Sequence, residues 1–165
     1  MKSLGIVLMC IAAAVMYGIV HDQITARICI EYFTIGHPPL FQTNNPTLLG
    51  LGWGVIATWW VGLLLGVPLA IVARAGSRPK RSIGSLIRPI TGLLFSMAVC
   101  ALVAGIIGWL LARSGAVFLV GRLGHELPVE LHDAFIADMW AHSVSYLVAF
   151  VGGIAVLVLV WRSRH

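Results

Sequence analysis

Residues 4–20, 48–73, 90–111 and 143–161 contain no Asp, Glu, Lys, Arg or His. A helix needs about 20 mostly apolar residues to cross a hydrocarbon core of ~30 Å. Four uncharged runs of this kind predict an all-α chain: an integral membrane four-helix bundle. The expected spans are about residues 4–23, 48–73, 90–111 and 136–161, forming a single four-span transmembrane domain over residues 1–165. Composition agrees, with 59% hydrophobic and only 10% charged residues, where soluble domains are about half apolar and about a quarter charged. The opening run, one Lys before an apolar core, also has the form of a signal peptide. It is read here as a retained first span.

The basic residues orient the spans. Lys2, Arg74, Arg78, Lys80, Arg81, Arg88, Arg162 and Arg164 fall on one side, and Arg27, Arg113 and Arg122 on the other. The positive-inside rule then places both termini and the basic loop 74–89 in the cytoplasm, and segments 24–47 and 112–135 outside. Arg74, Arg78, Lys80, Arg81 and Arg88 are read as a topology anchor, with contact to anionic lipid as the sharper alternative. The expected location is the inner (plasma) membrane of a bacterium. The net charge of +5 is accounted for by this asymmetry and gives no reason to expect nucleic-acid binding.

Lipid supplies no hydrophobic drive between helices, so small residues that allow close backbone approach mark packing faces. Gly62 and Gly66, Ala101 and Gly105, Ala104 and Gly108, and Ala149 and Gly153 all recur at that four-residue interval, and span one has Ala12-Ala13-Ala14. These faces are expected to pack the bundle, or to meet other membrane subunits or a second copy of the chain. Asn45 before Pro46 reads as a helix cap with a first-turn proline, and Pro128 is expected to open the fourth helix in the same way. Trp59 and Trp60 read as packing or lipid-facing residues.

The acids and histidines are unevenly placed. All six acids (Asp22, Glu31, Glu126, Glu130, Asp133 and Asp138) and five of the six histidines (His21, His37, His125, His132 and His142) fall on the expected outer side. At 1.5 Å per residue, His21 and Asp22 at the end of span one lie level with His142 at the start of span four. Asp138, His142 and Ser145 share one helical stripe. If the first helix continues past the membrane, Asp22, Thr25 and Cys29 share another, His21 lies on the side of Tyr32, and Arg27 meets Glu31. Imidazole with carboxylate is a donor set for copper, iron or zinc. Asp138, His142, His21 and Asp22 are therefore the expected metal ligands, with His132, Asp133, Glu31 and His37 as secondary candidates. A b-type haem held by His21 and His142 ranks below a bare cation, because the surrounding acids suit a cation better.

Other functions lose support. A pump or ion-coupled carrier keeps ionisable groups along its path, and the spans have none at depth. Cys10, Cys29 and Cys100 are isolated in sequence, against a membrane disulfide oxidoreductase with paired thiols. No Walker loop, nucleophile elbow or H-E-x-x-H is present. The first-ranked expectation is an outer-face His/carboxylate metal site used for redox or metal-assisted chemistry. The second is a non-catalytic accessory subunit of a larger membrane complex. Whether the protein is an enzyme stays open at this stage.

Overall fold

A computed structural model describes residues 2–164. Its elements, in chain order, are α1 (Lys2–Ile28), α2 (Glu31–Thr34), α3 (Pro46–Ile56), α4 (Trp59–Arg74), α5 (Ile83–Arg113), α6 (Gly121–Glu126), a 3₁₀ turn at Val129–Leu131, and α7 (His132–Arg162). Among the described residues there is no strand. Four segments are long and apolar enough to cross a membrane: α1, α3 with α4, α5, and the turn with α7. They run alternately up and down, so both ends of the described chain lie at one end of the bundle. The opposite end is called distal below.

The caps explain where helices begin. The Asn45 side chain accepts bonds from the Thr47 and Leu48 amides at 2.9 and 3.2 Å, and Pro46 fills the first turn, as the sequence predicts. The Ser82 hydroxyl accepts from the Ser85 amide at 3.3 Å, so α5 starts at Ile83 and Arg88 is helical. Pro128 precedes the 3₁₀ turn, one short step before α7.

The expectation of an unbroken second span fails, and the condition that the first helix continues past the membrane is not met. The second span is interrupted at Ala57–Thr58, although neither residue is a helix breaker. The Thr58 hydroxyl turns back to the Gly54 carbonyl, and the Tyr146 hydroxyl donates to the Ala57 carbonyl at 3.2 Å. Partners within the fold thus stabilise the break. The first helix also stops at Ile28, and the chain turns at Cys29 and Ile30 into α2. Arg27 consequently bonds the Gln23 carbonyl and side chain and the Thr47 hydroxyl, not Glu31.

The bundle is built as two tight pairs. α1 lies along α3 and α4, and α5 lies along α7, while contacts between the pairs are sparse. Glycine sets the first pairing. A Cβ at Gly62 would sit 2.5 Å from the Ile11 Cα, and one at Gly54 would sit 2.5 Å from the Ile19 Cα and N. In the second pair a Cβ at Gly108 would meet Trp140 at 2.9 Å. The small-residue faces around Gly62 and Gly66 and around Gly105 and Gly108 are thus occupied within the chain. Near the termini, Ile6, Leu69, Leu86, Ile90, Val156 and Val160 fill the space between the pairs. Toward the distal end the seam loosens, and cavities appear there.

One terminal residue does more than mark topology. Arg164, only 2% exposed, bonds the carbonyls of Pro79 (2.9 Å), Ala75 (2.8 Å), Arg78 (3.0 Å) and Val72. These include carbonyls at the C-terminus of α4, which lack intrahelical partners and carry partial negative charge. Arg164→Ala is expected to lower stability by about 2 kcal/mol, the scale of a charge-assisted bond with buried acceptors left unpaired. Arg164→Lys should recover less than half of that, because an ammonium cannot reproduce the guanidinium fork. Thermal unfolding in detergent micelles, followed by circular dichroism, measures both.

Candidate metal centre

His21 and Asp22 occupy the last two turns of α1, and His142 lies in the third turn of α7. The residues meet across the distal seam. One ligand atom from each of His21, Asp22 and His142 lies within 4.8 Å of the others. His142 Nε2 and Asp22 Oδ1 are 3.2 Å apart. Ligands of a tetrahedral zinc, each about 2.0–2.1 Å from the ion, stand roughly 3.4 Å from one another. That pair is already at ligand spacing, and His21 needs only a modest approach.

Hydrogen bonding narrows what can lie between the pair. His142 Nδ1 donates to the Asp138 carbonyl at 2.8 Å. In a neutral imidazole this leaves Nε2 as a lone pair, aimed at a carboxylate oxygen. Two acceptors at 3.2 Å need something between them: a proton held by His142 or by the Asp22 carboxyl, or a metal ion. His21 favours the metal. Its Nε2 is buried with no hydrogen-bond partner, although a buried polar atom left unpaired costs about 1–3 kcal/mol. An ion pair between His142 and Asp22 gives His21 no role, whereas a cation shared by all three does.

Aromatic rings close the site from above. Tyr32 of α2 stacks on His142 with centroids 4.4 Å apart, and Phe33 meets the same ring edge-on at 5.8 Å. Tyr17 stacks on His21 at 5.7 Å, and its hydroxyl bonds Ser145 Oγ at 2.7 Å one turn deeper. Burial, ahead of nearby acidic groups, raises the Tyr32 hydroxyl above its ordinary range, so it remains a neutral donor. His37 belongs to this cover: its Nδ1 donates to the Tyr32 carbonyl at 2.7 Å, and its ring rests 4.7 Å from Trp53.

The other expected ligands stand apart from the three-residue group. Asp138 serves His142 through its backbone carbonyl. Its carboxylate, 1% exposed with neither oxygen partnered, faces a separate cavity of about 350 Å³ that His21 also lines. The imidazole tautomer is thus fixed by the backbone of residue 138, which any side chain there would supply, and not by the Asp138 carboxylate. His132 Nε2 donates to the Leu127 carbonyl at 3.2 Å, and Asp133 accepts from the Ala134 amide at 2.8 Å. Both organise the start of α7. Glu31 opens α2 and accepts from the Cys29 thiol at 3.5 Å. The lower rank given to haem agrees with the geometry: the His21 and His142 rings touch edge to face with centroids 4.5 Å apart, leaving no slot for a macrocycle between them.

Cys29 is buried against Leu127 and Phe135. Burial first of all pushes its thiol up to about 12, and the thiolate is the reactive form. Cys29 is therefore expected to resist a maleimide at pH 7–8 in the folded protein and to react once the protein is unfolded in SDS, read by mass spectrometry.

Comparison with known protein families, curated proteins and solved structures finds no match to this chain. The site therefore rests on its own geometry. Tyr32 and Phe33, which wall it, and Trp53, which backs His37, were not legible as site residues. The only sequence signal was the aromatic density of the segment after His21.

Proposed function

We propose that this membrane-spanning protein binds one transition metal ion through His21, Asp22 and His142 and uses it in redox or metal-assisted chemistry at the outer rim of the bacterial inner membrane. The observation that carries this reading is the convergence of two imidazoles and one carboxylate from two helices, with a buried His21 nitrogen that no group among the described residues satisfies. Two imidazoles and one carboxylate form the donor set of catalytic zinc hydrolase sites and of non-haem iron oxygenase sites, both of which keep coordination positions open. Such a metal polarises a bound oxygen or lowers the pKa of a bound water. Asp22, His21 and His142 hold it, the Asp138 carbonyl fixes the His142 tautomer, and Tyr32 and Phe33 exclude bulk water. The basic loop on the opposite side gives the orientation.

The test is elemental analysis of protein purified in detergent, before and after dialysis against a chelator and reloading with zinc, iron(II) or copper. About one ion per chain, removed by chelator and restored by reloading, is expected for a three-ligand site. Less than about a tenth of an ion per chain after reloading with each metal ends the proposal.

A further inference from the structure

The metal cluster sits at one end of a long apolar cavity that opens sideways, and the cavity suggests what the site takes. It has a volume of about 440 Å³, within the roughly 300–1,000 Å³ of small-molecule sites. It follows α1 from His21 down to Cys10. The eleven steps between them are about 16 Å of helix, close to half of a ~30 Å hydrocarbon core. It lies in the seam between the two helix pairs, where the interruption at Ala57–Thr58 and the small Ala13, Ala14 and Ala149 leave room. Exposed Trp60 and Phe150, on α4 and α7, flank the side open to lipid.

The polarity of the lining selects the ligand. No Lys or Arg lines the cavity, and in the metal-free protein the Asp22 carboxylate is balanced by no more than the one proton it shares with His142. A phosphate or carboxylate head entering the metal-free protein would find no surplus positive charge there to pair it in an apolar setting, a costly arrangement. Neutral oxygen fits. Tyr17 and Ser145 bond each other, which leaves one of the two hydroxyl protons free for a ligand, and His21, Asp22 and His142 lie just beyond. We infer that the site takes a neutral, single-tailed amphiphile with a hydroxyl or carbonyl head, such as a long-chain alcohol or quinol. Its tail enters from the bilayer between α4 and α7, and its head oxygen reaches the metal cluster. The location of the head rests on the metal reading above; the fit of the tail and, in metal-free protein, the selection against anions do not.

The experiment uses full-length protein in nanodiscs with a trace of a diazirine-bearing hexadecanol, photolysed and mapped by mass spectrometry, with metal content measured on the same samples. Labels are expected on α1, α4 and α7 residues of the cavity. In chelator-stripped samples, excess unlabelled hexadecanol should reduce labelling at least fivefold, and hexadecyl phosphate by less than twofold. Ala14→Phe and Ala149→Phe fill the space without touching a proposed ligand and should each lower labelling at least fivefold at unchanged metal content. Equal competition by the phosphate, or labelling spread evenly over lipid-facing positions and indifferent to both fillings, overturns the inference. Specific labelling of a protein that binds no metal retains the amphiphile site and removes the metal reading alone. Should a filled variant fail to fold, the competition pair on the unaltered protein still decides.

Discussion

His21→Leu is expected to reduce metal affinity at least about 100-fold, beyond the 10–100-fold typical of losing an outer-shell partner, while leaving the metal-free protein as stable as before or more so. The two effects have opposite signs for one reason. His21 Nε2 makes no hydrogen bond to the described residues, so removing it forfeits no hydrogen bond, and leucine retains apolar contact in place of the ring packing on Tyr17 and His142. It relieves an unpaired buried polar atom, worth about 1–3 kcal/mol, and leucine suits the apolar walls of the adjoining cavities. A histidine retained only for packing shows neither effect. Asp22→Asn and His142→Gln should also lose the metal but lower apo stability, because Asp22 and His142 face each other at 3.2 Å inside the bundle. Breaking such a buried pair costs about 3–5 kcal/mol when one partner is removed outright, and less for these near-isosteric amides. Isothermal titration with zinc, alongside thermal unfolding with and without chelator, measures both quantities. Wild-type affinity in His21→Leu sinks the metal assignment.

The four spans and the level at which chemistry could occur were legible because both follow from local rules. Hydropathy over 20 residues does not depend on neighbours. The segregation of acids and histidines to one end survives any rotation of the helices. What could not be read depends on side-chain direction and tertiary contact. Asp138 and His142 share a helical stripe, yet the imidazole turns back to the Asp138 carbonyl, and spacing alone cannot separate that rotamer from co-ligation. The break at Ala57–Thr58 carries no Gly-Pro signal. It exists because α1 approaches Gly54 and because Tyr146, 89 residues away, caps the freed carbonyl. Continuing α1 past Ile28 put Tyr32 on the His21 side, whereas the turn into α2 lays its ring on His142. Arg164 looked like one positive charge among eight, and its role as a clamp depends on the loop folding over it.

The second large effect belongs to the glycines that bring α1 against α3 and α4. Gly62→Leu and Gly54→Leu are each expected to cost about 3 kcal/mol or more, at or beyond the usual 1–3 kcal/mol of overpacking. A Cβ at either position already lies 2.5 Å from backbone atoms of α1, which cannot move aside as a flexible side chain can. Relief requires the helices to separate, and in lipid no hydrophobic force restores the contact once close packing is lost. Because α1 also carries His21 and Asp22, separation pulls both ligands from His142, so metal binding should vanish with the fold. Gly84→Leu and Gly92→Leu are the controls: an added Cβ at either meets nothing within 4 Å, and both should stay within about 1 kcal/mol, a glycine leaving a helix interior being if anything favourable. Folded fraction after reconstitution, by size-exclusion chromatography and tryptophan fluorescence, distinguishes the pairs. Normal folding of Gly62→Leu would show that α1 does not lie on α4 as described, and the His21–Asp22–His142 centre would lose its geometric basis along with that pairing.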